Sequence, residues 1–188
     1  MKPKIIFIHG NGGGTGQDNW FPWCVKEFRK LGFSAEAPDF PDSELARAKY
    51  WLPYIKDVLK ADENTILIGH SSGAVAAMRY AEAHNILGSV LVGTCHTDLG
   101  DESEKLSGYF DSPWGWHSIT NNQQWILQFA SADDPYIDVV EARYVHENLK
   151  TKYFEFHDQG HFGEDVHKVE FPELVAETIK MINLFGKY

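Results

Sequence analysis

Gly69-His70-Ser71-Ser72-Gly73 has the pattern G-x-S-x-G and lies between a short apolar run and a helical one. A strand that enters a helix through so tight a turn forces the serine into a strained backbone conformation. Small residues on either side let strand and helix approach, and the Oγ of Ser71 then projects above the sheet at the helix N-terminus. The chemistry this serves is nucleophilic attack by a hydroxyl. Ser72 lacks a small neighbour at the required offset, so Ser71 is the expected nucleophile. The plainer alternative is a tight turn with a helix-capping serine.

A hydroxyl needs a base to take its proton. The last apolar run ends in His157-Asp158-Gln159-Gly160-His161-Phe162-Gly163. His161, in a Gly-flanked loop, suits a side chain that reaches across a sheet. His157 is closer to the strand and reads as packing or capping its end. The imidazole in turn needs an acid to fix its tautomer and stabilise its charged form. Ser131-Ala132-Asp133-Asp134-Pro135-Tyr136-Ile137 offers two carboxylates. Asp134-Pro135-x-Ile137 matches the usual acid loop of this chemistry, which favours Asp134; a one-residue shift in register exchanges it with Asp133. The chain order Ser, Asp, His is that of the α/β-hydrolases.

Two backbone N–H groups must also face the oxygen that becomes negative. Ser72 supplies one, and the Gly-rich loop His9-Gly10-Asn11-Gly12-Gly13-Gly14 supplies the other through Asn11 or Gly12. That loop is not a nucleotide loop: no Lys-Ser/Thr follows the glycines and the G-x-G-x-x-G spacing is not met. His157, His161 and His167 lack a helix-spaced partner pair, so no metal is expected, and no cofactor.

These residues need a frame that gathers strand ends. Apolar runs at Lys4–Ile8, Phe33–Ala37, Thr65–Gly69, Ser89–Gly93, Trp125–Ala130 and Lys152–Phe156 read as strands, several covered on both faces. Helical patterns fall at about 18–31, 43–60, 72–85, 137–149 and 172–185. Such alternation predicts a parallel sheet with helices on both faces, a three-layer α-β-α arrangement. Chemistry in such sheets collects at the carboxyl ends of the strands. Residues 94–124 stand apart: they are long, without clear periodicity and rich in aromatics. They read as a packed cap, or as an extra helix and loop completing the core. Trp114 and Trp116 are the candidates there to line a substrate pocket.

Composition narrows the options. The chain has 188 residues, 43% of them hydrophobic, and 12 Phe, 8 Tyr and 6 Trp, enough for one compact domain over 1–188. A net charge of -10 disfavours nucleic acid and anionic lipid surfaces. Cys24 and Cys95 read as a reduced pair, although one disulfide is not excluded. The apolar run near the N-terminus is too short for a signal peptide or a membrane span. The expected location is the cytoplasm, with the nucleus open as well.

The chain resembles the family of small serine hydrolases that groups retinoblastoma-binding protein 9 with the bacterial YdeN-like proteins. The resemblance rests on Asn11-Gly12-Gly13-Gly14, Trp51-Leu52-Pro53, Gly69 to Ala74, Ala77-Met78-Arg79-Tyr80-Ala81-Glu82, Asp98-Leu99-Gly100-Asp101-Glu102, Ser107-Gly108-Tyr109-Phe110, Pro113-Trp114 and Gly160-His161-Phe162. It implies a minimal α/β-hydrolase fold, six strands in the order 2-1-3-4-5-6 with no large lid, and Ser71, Asp134 and His161 as the triad. It also implies hydrolysis of a small ester or amide, including peptide or amino-acid-ester substrates. The best-known member of that family carries a Leu-x-Cys-x-Glu segment that docks on retinoblastoma protein. Leu59-Lys60-Ala61-Asp62-Glu63 has alanine in place of the cysteine, which counts against that partner here. The competing reading is an interaction module that keeps the fold with little or no catalysis.

Overall fold

The computed structural model describes residues 2–185. Six parallel strands form one sheet in the order β2-β1-β3-β4-β5-β6. They are β1 (Lys4–Ile8), β2 (Ser34–Glu36), β3 (Thr65–His70), β4 (Gly88–Val92), β5 (Trp125–Ser131) and β6 (Lys152–Phe156). The helices are α1 (Phe21–Lys30), α2 (Ala48–Pro53), α3 (Ser72–Ala83), α4 (Glu102–Ser107), α5 (Trp116–Asn121), α6 (Val139–Leu149) and α7 (Pro172–Phe185). This is the α/β-hydrolase topology, with helices on both faces of a parallel sheet.

Successive side chains of a strand point to opposite faces, and β1 shows what that does. Ile5 and Phe7 pack with α1 and α7, against Trp20, Phe21, Phe28, Leu174 and Ile182. Ile6 and Ile8 pack with α2 and α3, against Trp51, Val75 and Met78. β3 and β4 are buried along their whole length. Strands covered on both faces read as unbroken apolar runs, and that is why they stood out in the sequence. Cys24 and Cys95 are both free and lie in the clusters on opposite faces of the sheet.

The pattern over 43–60 is shorter as helix than its length predicts. Regular helix starts only at Ala48, because Ala46 holds a positive φ of 50°. Asp42 meanwhile ties back to the Arg47 N–H at 3.1 Å. At its far end α2 meets Pro53 and widens into a π-type turn over Tyr54–Val58. Proline has no N–H to give, and its ring crowds the carbonyl one turn earlier.

Candidate active site

The turn between β3 and α3 is built by two glycines. A side chain on Gly69 would fall 2.2 Å from the Gly73 carbonyl oxygen, and one on Gly73 would fall 2.1 Å from that of Ile8. The close approach bends the chain sharply, and Ser71 takes φ 56° and ψ −124°. That left-handed conformation strains any residue other than glycine. The Ser71 N–H is fixed by the Val92 carbonyl at 2.9 Å, so the turn is moored to the end of β4. Ser72 opens α3, where the first N–H groups have no intrahelical acceptor and face outward as donors.

Ser71 and His161 border the same cleft, of about 790 Å³, with Asn11, Gly12 and Ser72 on the same lining. The His161 Nδ1 and the Asp134 Oδ2 are 2.8 Å apart, and their side chains are 12% and 4% exposed. The other Asp134 oxygen accepts from the Tyr136 and Ile137 N–H groups at 2.9 and 3.0 Å. The carboxylate is thus aimed before it meets the ring. Asp133 serves elsewhere: it accepts from the Gly160 N–H at 3.0 Å and so shapes the loop that carries His161. His157, at the end of β6, is exposed and is not among the residues that border the cleft.

Other ties hold the histidine loop. The His161 N–H donates to Asp165 at 2.7 Å, and the Trp20 indole donates to the Phe162 carbonyl at 3.0 Å. His70 Nε2–H donates to the His161 carbonyl at 2.7 Å. Burial pushes the His70 imidazole down to about 3, so it stays neutral and keeps that role. Gly93, with φ +55°, lies against the His161 ring, where an added side-chain carbon would come within 3.1 Å of Cε1. His70 and Gly93 carry no motif of their own, and their roles appear only when β3, β4 and the last loop are brought together.

Two sequence expectations change. Gly12 borders the cleft, but its N–H donates to the Glu44 carbonyl at 3.0 Å and is therefore spent. Of the two loop candidates this leaves Asn11. His9 fixes the loop: its Nε2 accepts from the Phe40 N–H at 2.9 Å, and its Nδ1–H donates to the Gly10 carbonyl at 2.7 Å. Trp114 and Trp116 are the second correction, since neither borders the cleft. The Trp114 ring lies 3.6 Å from the Arg79 guanidinium carbon, and its indole N–H donates to the His96 carbonyl. Trp116 stacks on Trp114 at 5.4 Å. They anchor residues 94–124 to α3 instead.

That segment does reach the cleft, through Cys95, Leu99, Asp101, Ser103 and Glu104. Glu104 escaped the sequence reading. Asp101-x-x-Glu104 has the form of a capping box, in which the glutamate would turn back to the helix start. Asp101 does cap α4, accepting from the Ser103 and Glu104 N–H groups, but the Glu104 carboxyl leaves the helix for Asn11.

A family model described as "Serine hydrolase" matches residues 5–178. The chain is 42% identical to "Serine hydrolase RBBP9" of Rattus norvegicus over 95% of both sequences. It is 23% identical to "Putative hydrolase YdeN" of Bacillus subtilis (strain 168) over 88% of each. The crystal structure of the B. subtilis ydeN gene product superposes with a TM-score of 0.88 at 22% identity, covering 96% of this chain and 99% of that one. On the matched model and the 42% identity, the chain belongs to the serine hydrolase family.

Proposed function

We propose that this hydrolase cleaves a small ester or amide through an acyl-enzyme on Ser71. The observation that carries the reading is a strained serine sharing a cleft with a histidine whose far nitrogen meets a buried carboxylate. With Nδ1–H held by Asp134, the Nε2 of His161 is the unprotonated nitrogen; this tautomer follows from the hydrogen-bond partners. It takes the Ser71 proton as Oγ attacks the carbonyl carbon. The Ser72 and Asn11 N–H groups receive the negative oxygen of the tetrahedral intermediate. His161 then passes the proton to the leaving alcohol or amine. Water, deprotonated by the same nitrogen, releases the acid and frees the serine.

The lining favours certain substrates. Leu99, Pro135, Tyr136 and Ile137 offer apolar surface, while Asp18, Asp101, Glu104 and Glu164 contribute carboxyl groups and no Lys or Arg joins them. Neutral or cationic substrates suit such a cleft, and anionic ones are repelled. No helix of the described residues is long and apolar enough to cross a membrane. Residues 59–63, with Ala61 half-buried and its carbonyl bonded to the Tyr80 hydroxyl, give no support to a retinoblastoma-protein contact.

A fluorophosphonate probe tests the nucleophile. Wild type should label covalently and turn over acyl esters or aminoacyl amides, and Ser71→Ala should do neither. Equal labelling of the two proteins would overturn the assignment.

A further inference from the structure

Glu104 is a half-buried carboxyl that touches both residues of the proposed oxyanion hole and that the reaction above leaves unused. It stands on α4, in the cap, and borders the cleft. Its Oε1 accepts from the Asn11 side-chain amide at 2.8 Å and from the Ser72 hydroxyl at 3.3 Å. One oxygen therefore touches both residues whose backbone N–H groups would hold the oxyanion. These two residues come from different strand ends, after β1 and after β3, and among the described residues no bond between their own side chains is present.

The second oxygen, Oε2, is buried without a partner. A buried carboxylate oxygen without a donor is costly, whereas a buried neutral carboxyl costs far less. Burial first, and then Asp101 and Asp98, raise the Glu104 carboxyl above its usual range. That shift weakens the tendency of the group to carry negative charge beside an oxygen that is itself becoming negative. A glutamine at this position would keep the accepting carbonyl and could not ionise.

Resting on the acyl-enzyme reading, we propose that Glu104 is a positioning residue for the oxyanion hole. Its carboxyl clamps Asn11 to Ser72, so that the two backbone donors keep a fixed separation while the carbonyl becomes tetrahedral. The cap thus takes part in the chemical step without touching the reacting atoms, and the donor pair is set by three segments rather than two. Donors that drift lose value steeply, since catalytic geometry tolerates errors of only about 0.5 Å.

The test is the rate of phosphonylation of Ser71 by a fluorophosphonate, which forms the same kind of oxyanion, together with kcat and KM on an ester. Losing an oxyanion donor outright costs on the order of 10²–10³, so loosening one through Glu104→Ala should lower labelling rate and kcat by about 10- to 100-fold. KM should change far less. Glu104→Gln should recover most of the loss. Asn11→Ala removes the other end of the same bond while keeping its backbone N–H. It should match Glu104→Ala, and the double variant should lose little more than either alone. Should Glu104→Ala fail to fold, Asn11→Ala and Glu104→Gln carry the test. Wild-type labelling with Glu104→Ala or Asn11→Ala reacting at the wild-type rate would overturn the inference alone, as would additive losses. A wild type that does not label at Ser71 would remove the proposed function and this inference with it.

Discussion

The loop that carries His161 and the cap over residues 94–124 border one cleft, yet they are held in different ways. The histidine loop is fixed through its backbone. Asp133, Asp165, His70 and Trp20 bond to N–H and C=O groups of residues 160–162, leaving the imidazole to meet Asp134. The cap is fixed through side chains rooted in α3. Arg79, only 7% exposed, donates to the carbonyls of Tyr109 and Ser112 at 2.7 Å each, pairs with Glu82 at 2.9 Å and lies under Trp114. Backbone ties set the direction of a single side chain. Side-chain anchors set where a whole segment sits and leave its inner surface to choose what it touches. By this contrast, damage to the loop should appear in turnover and damage to the anchors in stability.

The sharpest break is Asp134→Asn. An amide can hold the imidazole in the wrong tautomer, so turnover should fall by about 10⁴ while the fold persists. A loss under tenfold, measured as kcat/KM with matched thermal melting, would remove the acid from the scheme. Next comes Trp114→Ala. Removing a large aromatic from a packed site costs about 3 kcal/mol at the low end of the usual range, fitting a half-buried ring. Denaturant unfolding should show that cost, while kcat/KM on small esters should stay within about threefold, under 1 kcal/mol of barrier. A large rise in KM without lost stability would return Trp114 to the pocket.

The smallest effect, read between pH 7.5 and pH 5, is the response to acid. His70 is neutral in the folded chain because burial holds its imidazole at about 3, against 6.5 for the free group. The unfolded chain therefore takes up the proton first. Stability is complete above pH 6.5 and falls as pH drops towards 3, by up to about 1.4 kcal/mol per unit for one proton. Thermal melting at pH 7.5 and pH 5 should show the decline, and His70→Gln should reduce it. An equal decline in both proteins would assign it elsewhere. His9 and His84 are lowered as well, again by burial first, and add to the decline.

Legibility in the sequence followed the range of the forces involved. The elbow at Ser71 is a local matter of two glycines, a strand and a helix, and it can be read from five residues. The sheet order 2-1-3-4-5-6 is not local; it came from likeness to a family, and the structure has that order. The reading of Gly12 as a donor went astray because its N–H is taken by Glu44, a residue from another connection. Trp114 and Trp116 looked like pocket residues because aromatic side chains suit pockets and cores equally. Only Arg79, 35 positions earlier by difference from Trp114, decides between the two. Glu104 was hidden by a capping-box pattern that its side chain does not complete.

The tie from the Trp20 indole to the Phe162 carbonyl spans 142 residues, and it has a meaning in time as well as space. A chain emerges from the ribosome N-terminus first, at about 5–20 residues per second. Ser71 is thus in existence for several seconds before His161 is made, and longer before that loop finds Trp20. On the proposed mechanism the serine is an ordinary alcohol through this interval. Ser71 becomes reactive only once the His161 loop is in place, so on that mechanism a chain stalled before residue 161 carries no activated serine.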